Sequence, residues 1–191
     1  NVAGYGNQTA TQATVLVGPE SYLATKYDDA LDPPLTYTLF DYYNNKVEND
    51  TEDLLQIALS SSACGEERAF LSGTDTLAAG LRLQNGMASF ANLKAFCTPL
   101  GNLTVKVAAE MILFGAVSHS VSALTTIHFR ACEVGEELVS GNCVQCPTGS
   151  FSVKVGGTCS ECICHDGIET CQGKEMSLKK GYWRRYESSS E

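Results

Sequence analysis

The sequence predicts an all-β protein made of a strand-rich body and a small disulfide-rich module. Three observations lead to this prediction: apolar residues alternate with polar ones, turn residues separate these runs, and cysteines crowd toward the carboxyl end. Seven of the nine cysteines follow residue 131 of the 191-residue chain. We therefore expect an extended arm or linker over residues 1–12, a β-rich domain over 13–131 and a cysteine-rich module over 132–191.

Short strands with one buried face account for the body. Residues 13–17 form the first apolar run, and long helical periodicity is absent. In the later runs every second side chain is apolar, which is typical of a strand that packs one face on a core. These side chains are Leu35, Tyr37, Leu39, Leu55, Ile57, Leu59, Leu103, Val105, Val107, Ile127 and Phe129. Several short strands at this spacing predict a sandwich or a barrel.

The clearest turn signal is Asn85-Gly86, because this dipeptide readily adopts the positive φ angles of a tight hairpin. We expect it to join an apolar run at 81–83 to one at 88–90. Proline, glycine and asparagine predict further turns at residues 32–34, 43–45 and 99–102.

The stretch from Asn85 to Leu93, followed by Pro99, Gly101 and residues 102–105, resembles the second half of immunoglobulin-like repeats of the bacterial-Ig and filamin type. Residues 39–47 resemble an early segment of the same repeats, and the similarity covers about residues 13–130. It implies an Ig-like antiparallel β-sandwich. Cys64 and Cys97 depart from the usual bacterial pattern. We expect them to pair with each other, and a bond from Cys97 to Cys132 is the alternative.

The cysteine-rich tail contains the phrase Cys-Pro-Thr-Gly-Ser-Phe-Ser at residues 146–152. This phrase resembles the EGF-like repeats of ephrin-receptor-like and tumour-necrosis-factor-receptor-like ectodomains. Residues 181–184 resemble the ending of such repeats in large surface proteins of protists. The resemblance implies three disulfides and leaves Cys164 unpaired or free to bond another chain. The implied pairs are Cys132 with Cys143, Cys146 with Cys159, and Cys162 with Cys171.

A structural zinc ion is the alternative for the tail, because Cys143/Cys146 and Cys159/Cys162 are two CxxC pairs and His165 follows closely. The flanking cysteines and the receptor-like phrase favour disulfides, so we expect no metal. Acidic residues around Glu48 also lack the spacing of a calcium loop, which favours a solvated loop.

Three Asn-x-Thr triplets make Asn7, Asn49 and Asn102 candidate N-glycosylation sites, each in a polar, turn-like context. Together with the cysteine density, they predict a secreted or cell-surface glycoprotein carrying N-linked glycans and no other cofactor.

Charge and motif content argue against several other functions. The formal net charge of −9 is unfavourable for nucleic-acid binding, and the most apolar stretch, residues 111–127, is too polar for a membrane span. His119, His128 and His165 stand in no recognisable nucleophile or metal phrase, and a solvent-facing strand histidine is the simpler interpretation. We expect no enzyme activity.

Two segments have functional and purely structural interpretations. Residues 179–186 mix four cations with three aromatic side chains, which could stack sugars or meet an acidic partner; alternatively, Trp183 caps the small tail core. Residues 1–12 could add to the sheet edge of a neighbouring chain, or they form a linker.

These observations predict a non-enzymatic, glycosylated structural or adhesive subunit of an extracellular assembly, with a self-associating filament protomer as its most specific form. The expected partners are copies of the chain, other extracellular proteins or glycans. The alternative is a receptor or adhesin ectodomain fragment that binds a protein or carbohydrate ligand. A secreted enzyme with an unrecognised site is a remote alternative.

Overall fold

The computed structural model describes residues 13–24, 30–48, 54–64, 69–73, 80–113 and 116–183, with the main chain alone at 112, 113, 116–118 and 164. Over these residues the protein is all-β without an α-helix, which confirms the predicted class. One 3-10 turn occurs at Cys162–Cys164. The strands are β1 (Ala13–Val17), β2 (Ser21–Ala24), β3 (Leu35–Asp41), β4 (Leu54–Ser62), β5 (Phe70–Ser72), β6 (Leu81–Arg82), β7 (Met87–Phe90), β8 (Lys94–Phe96), β9 (Asn102–Leu113), β10 (Ala116–Phe129), β11 (Glu136–Val139), β12 (Asn142–Gln145), β13 (Ser150–Phe151), β14 (Ser160–Glu161), β15 (Ile168–Gln172) and β16 (Glu175–Leu178).

The chain divides into two compact units. The first contains the described residues up to Cys97 together with Gly101–His128. The second contains Thr98–Leu100 and the described residues from Phe129 onward. The short excursion at Thr98–Leu100 is tied to the second unit by the Leu100 amide, which donates a 3.4 Å hydrogen bond to the Arg130 carbonyl.

Two sheets make up most of the first unit. One has three strands in the order β1-β3-β7, and the other has five in the order β2-β10-β9-β4-β6. The long hairpin of β9 and β10 is the centre of the larger sheet, with β4 paired along the outer side of β9. A further pair, β5 with β8, brings the rings of Phe70 and Phe96 into a stack at 4.1 Å.

The predicted alternation is visible in the burial of these strands. Leu35, Tyr37 and Leu39 of β3 are at most 1% exposed, and Leu103, Val105 and Val107 of β9 are fully buried. The prediction is wrong for Leu59, which is 39% exposed. Leu59 lies opposite the buried Val105 in the same register as Leu55 and Ile57, and the register shifts only after it. Its exposure therefore reflects a lack of packing over this end of β4 and not a change of side.

A buried hydrogen-bonded group connects the two sheets of the first unit. The Tyr37 hydroxyl on β3 lies 2.5 Å from the Thr125 hydroxyl on β10, which in turn donates to the Pro19 carbonyl at 2.5 Å. The Tyr37 ring packs edge-on against Phe90, with centroids 6.0 Å apart. A side chain at Gly18 would collide with the same ring, so Gly18 makes room for it.

The Asn85-Gly86 turn forms as predicted, with φ angles of 49° and 67°. Gln84 and Met87 form an isolated bridge across it. It joins the run at 81–83 to the run at 88–90 as expected, but β6 belongs to the five-stranded sheet and β7 to the three-stranded sheet. The turn therefore carries the chain from one sheet to the other.

Three short hairpin-like pairs build the second unit: β11 with β12, β13 with β14, and β15 with β16. Its core is small and consists of Phe151, Cys162, Ile168 and Cys171. Near the start of the unit in the sequence, the Arg130 guanidinium makes a bidentate contact with Glu136 at 2.7 and 2.8 Å. The Glu136 carboxylate also accepts the Glu133 amide at 2.8 Å, and these bonds fix the beginning of the unit.

Four disulfides join the same cysteines that the sequence analysis expects to pair. Their Cα–Cα distances lie between 5.1 and 6.0 Å, within the range that a disulfide spans without backbone movement. The pairs are Cys64–Cys97, Cys132–Cys143, Cys146–Cys159 and Cys162–Cys171. Disulfide formation at this density is typical of an oxidising compartment outside the cytosol.

Candidate association surfaces

The outer face of the three-stranded sheet carries exposed apolar side chains in register. Val15 and Val17 on β1 are each 48% exposed, and Met87 on β7 is 42% exposed. Val15 lies opposite Phe40, Val17 lies opposite Thr38, and Thr38 lies opposite Met87. We call the outward residues Val15, Val17, Thr38, Phe40 and Met87 the valine face.

This face results from the alternation of inward and outward side chains along β1 and β3. Leu16 and Leu39 are paired and turn inward, where they are at most 6% exposed. Since successive side chains of a strand point to opposite sides, the valines on either side of Leu16 must point outward. Apolar side chains on an exposed sheet face are typical of an interaction surface when they form a contiguous group.

An open groove of about 280 Å³ borders the valine face. Thr36, Met87 and Ser89 of the three-stranded sheet line one part, and Arg82 and Gln84 line another. The groove gives the face a concave border into which a partner side chain could fit.

The main-chain edges of the three-stranded sheet are partly covered. At β7, the Met87 amide donates to the Gln84 carbonyl at 3.0 Å and the Gln84 amide donates to the Met87 carbonyl at 2.8 Å. At β1, the Ala13 carbonyl lies 2.8 Å from His119 Nε2. Groups bonded in this way do not serve as a template for a further strand, so the side-chain face is the candidate surface of this sheet.

One candidate glycosylation site lies within the described residues. Asn102 is the first residue of β9, half-buried, and its carbonyl accepts the Ala63 amide at 2.8 Å. The expected turn-like context is wrong here, because Asn102 and Thr104 occupy outward positions on a strand around the fully buried Leu103. A glycan at Asn102 would therefore leave from the outer face of the five-stranded sheet. Asn7 and Asn49 lie outside the described residues.

The carboxyl end of the second unit presents two exposed aromatic side chains. Trp183 is 77% exposed and Tyr182 is 56% exposed. The interpretation of Trp183 as a cap on the tail core is therefore wrong, because Phe151, Ile168 and two half-cystines form that core without it. Arg184, Arg185 and Tyr186 lie outside the described residues.

The cysteines proposed as an alternative zinc site are all in disulfides, so their thiolates are not available to a metal. Within the described ranges, no group of three His, Cys, Asp or Glu side chains is placed to hold a metal ion. The main chain of Cys164 ends the 3-10 turn, next to Cys162 of the core disulfide. The expected arm at residues 1–12 falls outside the described part of the chain.

The histidines have different surroundings. His128 is exposed on β10 opposite Asn102, as expected for a solvent-facing strand residue. His119 differs, because its Nε2 bonds the Ala13 carbonyl. His165 lies against the Phe151 ring with centroids 5.2 Å apart.

Comparison of the chain with models of known families, with curated proteins and with solved structures finds no match. The immunoglobulin-like and receptor-repeat resemblances therefore stay predictions. In the described part of the chain, no helix has the length and apolar character needed to cross a bilayer.

Proposed function

We propose that this chain is a secreted or cell-surface glycoprotein that acts as a non-enzymatic structural or adhesive subunit of an extracellular assembly. In this proposal the first unit is an Ig-like β-sandwich and the second is an EGF-like or receptor-like cysteine-rich repeat. The observation that carries it is the valine face on a unit whose fold is stapled by a disulfide. Four disulfides also suit an extracellular subunit that must stay folded without a large core.

The two outer sheet faces of the first unit have different roles in this proposal. A glycan at Asn102 would cover the outer face of the five-stranded sheet, where Leu124 is 57% exposed. The valine face, on the other sheet, stays open for a second copy of the chain. Burial of its three most exposed apolar side chains supplies the favourable free energy of association.

A filament needs more than one contact per chain, because a single self-complementary face closes into a dimer. Residues 1–12 directly precede β1 at the edge of the three-stranded sheet, and Cys164 is the ninth cysteine beside four bonded pairs. In our proposal these two features supply the further contacts. One is a strand added to a neighbour, and the other is a disulfide between chains.

The proposal is tested by sedimentation velocity and negative-stain imaging of the glycosylated chain. Val17→Lys should weaken self-association at least about tenfold, because the lysine charge would be buried in the contact. Leu124→Lys is the matched control: it makes the same change on the outer face of the other sheet and should leave association unchanged. Cys164→Ser should abolish covalent dimers on a non-reducing gel.

A monodisperse monomer at high protein concentration, under oxidising conditions, would contradict self-assembly. The alternative function, a ligand-binding receptor or adhesin ectodomain, would then be favoured by the exposed aromatic residues Tyr182 and Trp183. Equal effects of Val17→Lys and Leu124→Lys would contradict the specific role of the valine face.

A further inference from the structure

The last described residues of the chain form an anchored turn. The Lys179 amide donates to the Gly167 carbonyl at 2.8 Å, and the Tyr182 amide donates to the Lys179 carbonyl at 3.1 Å. Gly181 has a φ of 93°, a conformation that favours glycine and completes the turn. We call residues Lys179–Trp183 the basic turn.

The basic turn holds its two aromatic side chains differently. A Cβ at Gly167 would collide with the Tyr182 ring, so one side of that ring packs closely on the Gly167 main chain. Tyr182 is nevertheless 56% exposed. Trp183 follows immediately and is 77% exposed. The turn therefore presents an anchored tyrosine next in sequence to an exposed tryptophan. Anchoring of a side chain before binding lowers the entropic cost of binding.

Positive charge accompanies these rings. Lys179 and Lys180 are exposed, and Arg184 and Arg185 follow in the sequence outside the described residues. No acidic residue occurs between Ser177 and Tyr186, and without these four positive charges the rest of the chain would carry −13 instead of −9. Within the described residues the basic turn carries two exposed lysines on a protein of net charge −9. Such ammonium groups attract anionic ligands in a salt-dependent way.

The combination of rings and ammonium groups fits a particular ligand class. Aromatic faces stack on the apolar faces of sugar rings, while lysine ammonium groups donate charge-assisted hydrogen bonds to carboxylate or sulfate groups. An acidic polysaccharide presents both features along one chain.

We infer that the basic turn is a binding site for an acidic polysaccharide, with Trp183 as the stacking platform and Lys179 and Lys180 as the anion-binding groups. This inference gives the adhesive part of the proposed function a ligand class. It does not depend on self-association, since a monomer carries the complete turn.

The test measures binding of the glycosylated chain to three polymers with one backbone: dextran sulfate, carboxymethyl dextran and unmodified dextran. For a charged polymer, the logarithm of the binding constant should fall linearly with the logarithm of the salt concentration. Unmodified dextran should bind far more weakly. A preference between the sulfated and the carboxylated polymer identifies the anionic group. The double variant Lys179→Gln/Lys180→Gln should weaken binding about tenfold, because it removes two exposed ion pairs with the polymer.

Matched controls separate the site from general charge. Lys154→Gln/Lys174→Gln changes two other exposed lysines of the same unit and should have little effect. Trp183→Ala should weaken binding at all salt concentrations, whereas Tyr42→Ala, which removes a 76% exposed ring from the first unit, should not. Circular dichroism of each variant confirms that it is folded.

Three results would overturn the inference: no binding to either charged polymer at low salt, equal binding to unmodified dextran, or equal losses for the two lysine pairs. Sedimentation velocity of the same variants measures self-association independently. Failure of this inference can therefore be distinguished from failure of the proposed function. If basic-turn variants lose self-association and the parent protein binds no polysaccharide, the turn is a protein contact and the inference is wrong. If the parent protein binds polysaccharide and remains a monomer, the inference is supported and the self-association in the proposed function is wrong.

Discussion

Gly18 should be one of the least replaceable residues of the first unit, although it lies in a connection between two strands. A methyl group at this position would overlap ring carbons Cδ1 and Cε1 of Tyr37. The ring has no space to retreat, because Tyr37 is fully buried, packs on Phe90 and is held by the Thr125 hydroxyl. Gly18→Ala therefore forces either the ring or the connection to move.

Overpacking of this kind costs about 1–3 kcal/mol, and we expect the upper part of that range because the fully buried ring packs on Phe90. The assay is urea unfolding under non-reducing conditions, followed by far-ultraviolet circular dichroism. Fluorescence is unsuitable, since the single tryptophan, Trp183, belongs to the second unit.

A double-mutant cycle tests the cause. In a Tyr37→Leu background the clash is relieved, so Gly18→Ala should cost at least about 1 kcal/mol less than in the parent protein. Tyr37→Phe is the matched control: it removes only the hydroxyl, costs about 1 kcal/mol by itself and should leave most of the Gly18→Ala penalty in place, because the ring remains. A Gly18→Ala penalty below about 0.5 kcal/mol, or the same penalty in both backgrounds, would refute this reasoning.

Three further predictions concern the second unit and the glycan. Arg130 holds the pKa of Glu136 below its usual value of 4.5, so the stability that this pair contributes should be present above about pH 4.5 and lost as the pH falls through the lowered pKa. Glu136→Gln should lower the free energy of unfolding by about 1 kcal/mol at pH 7 and should reduce its fall at acid pH. An unchanged dependence of the free energy of unfolding on pH would contradict this role. Cys162→Ser/Cys171→Ser should cost the second unit about 3 kcal/mol, measured by limited proteolysis, while the first unit resists cleavage as before. Mass spectrometry of peptides from the eukaryotically expressed chain should find an N-linked glycan on Asn102, and the unmodified peptide alone would exclude it.

The sequence by itself determined the fold class and the inward residues of most long strands. The alternation at Leu35, Tyr37 and Leu39 is sufficient because a strand places every second side chain on one face whatever lies beyond it. The Asn85-Gly86 turn was predictable for the same reason, since positive φ angles depend on the local residues. The exposure of Leu59 was not predictable, because alternation assigns a residue to one side of a strand but does not say whether other residues cover it there.

The candidate surfaces depended on tertiary structure. Val15 and Val17 look like core residues in the sequence, and only the pairing of Leu16 with Leu39 shows that they face outward. The sequence allowed Trp183 to be either a core residue or part of a binding surface. Only the tertiary structure shows that the core of the second unit does not include it. Gly18 carries no motif, and its role appears only when a residue 19 positions later brings its ring against it.

Local chemistry thus determined which segments form strands, turns and disulfide-rich structure. Tertiary structure decided to which sheet each strand belongs and which side of each strand meets solvent. Residues 81–90 show the division most clearly: the turn within them is local, but the separation of β6 and β7 into two sheets depends on long-range pairing with β4 and β3. The physical reason is that hydrogen bonding between strands is non-local, so the same alternating sequence can join either sheet until its partners are chosen.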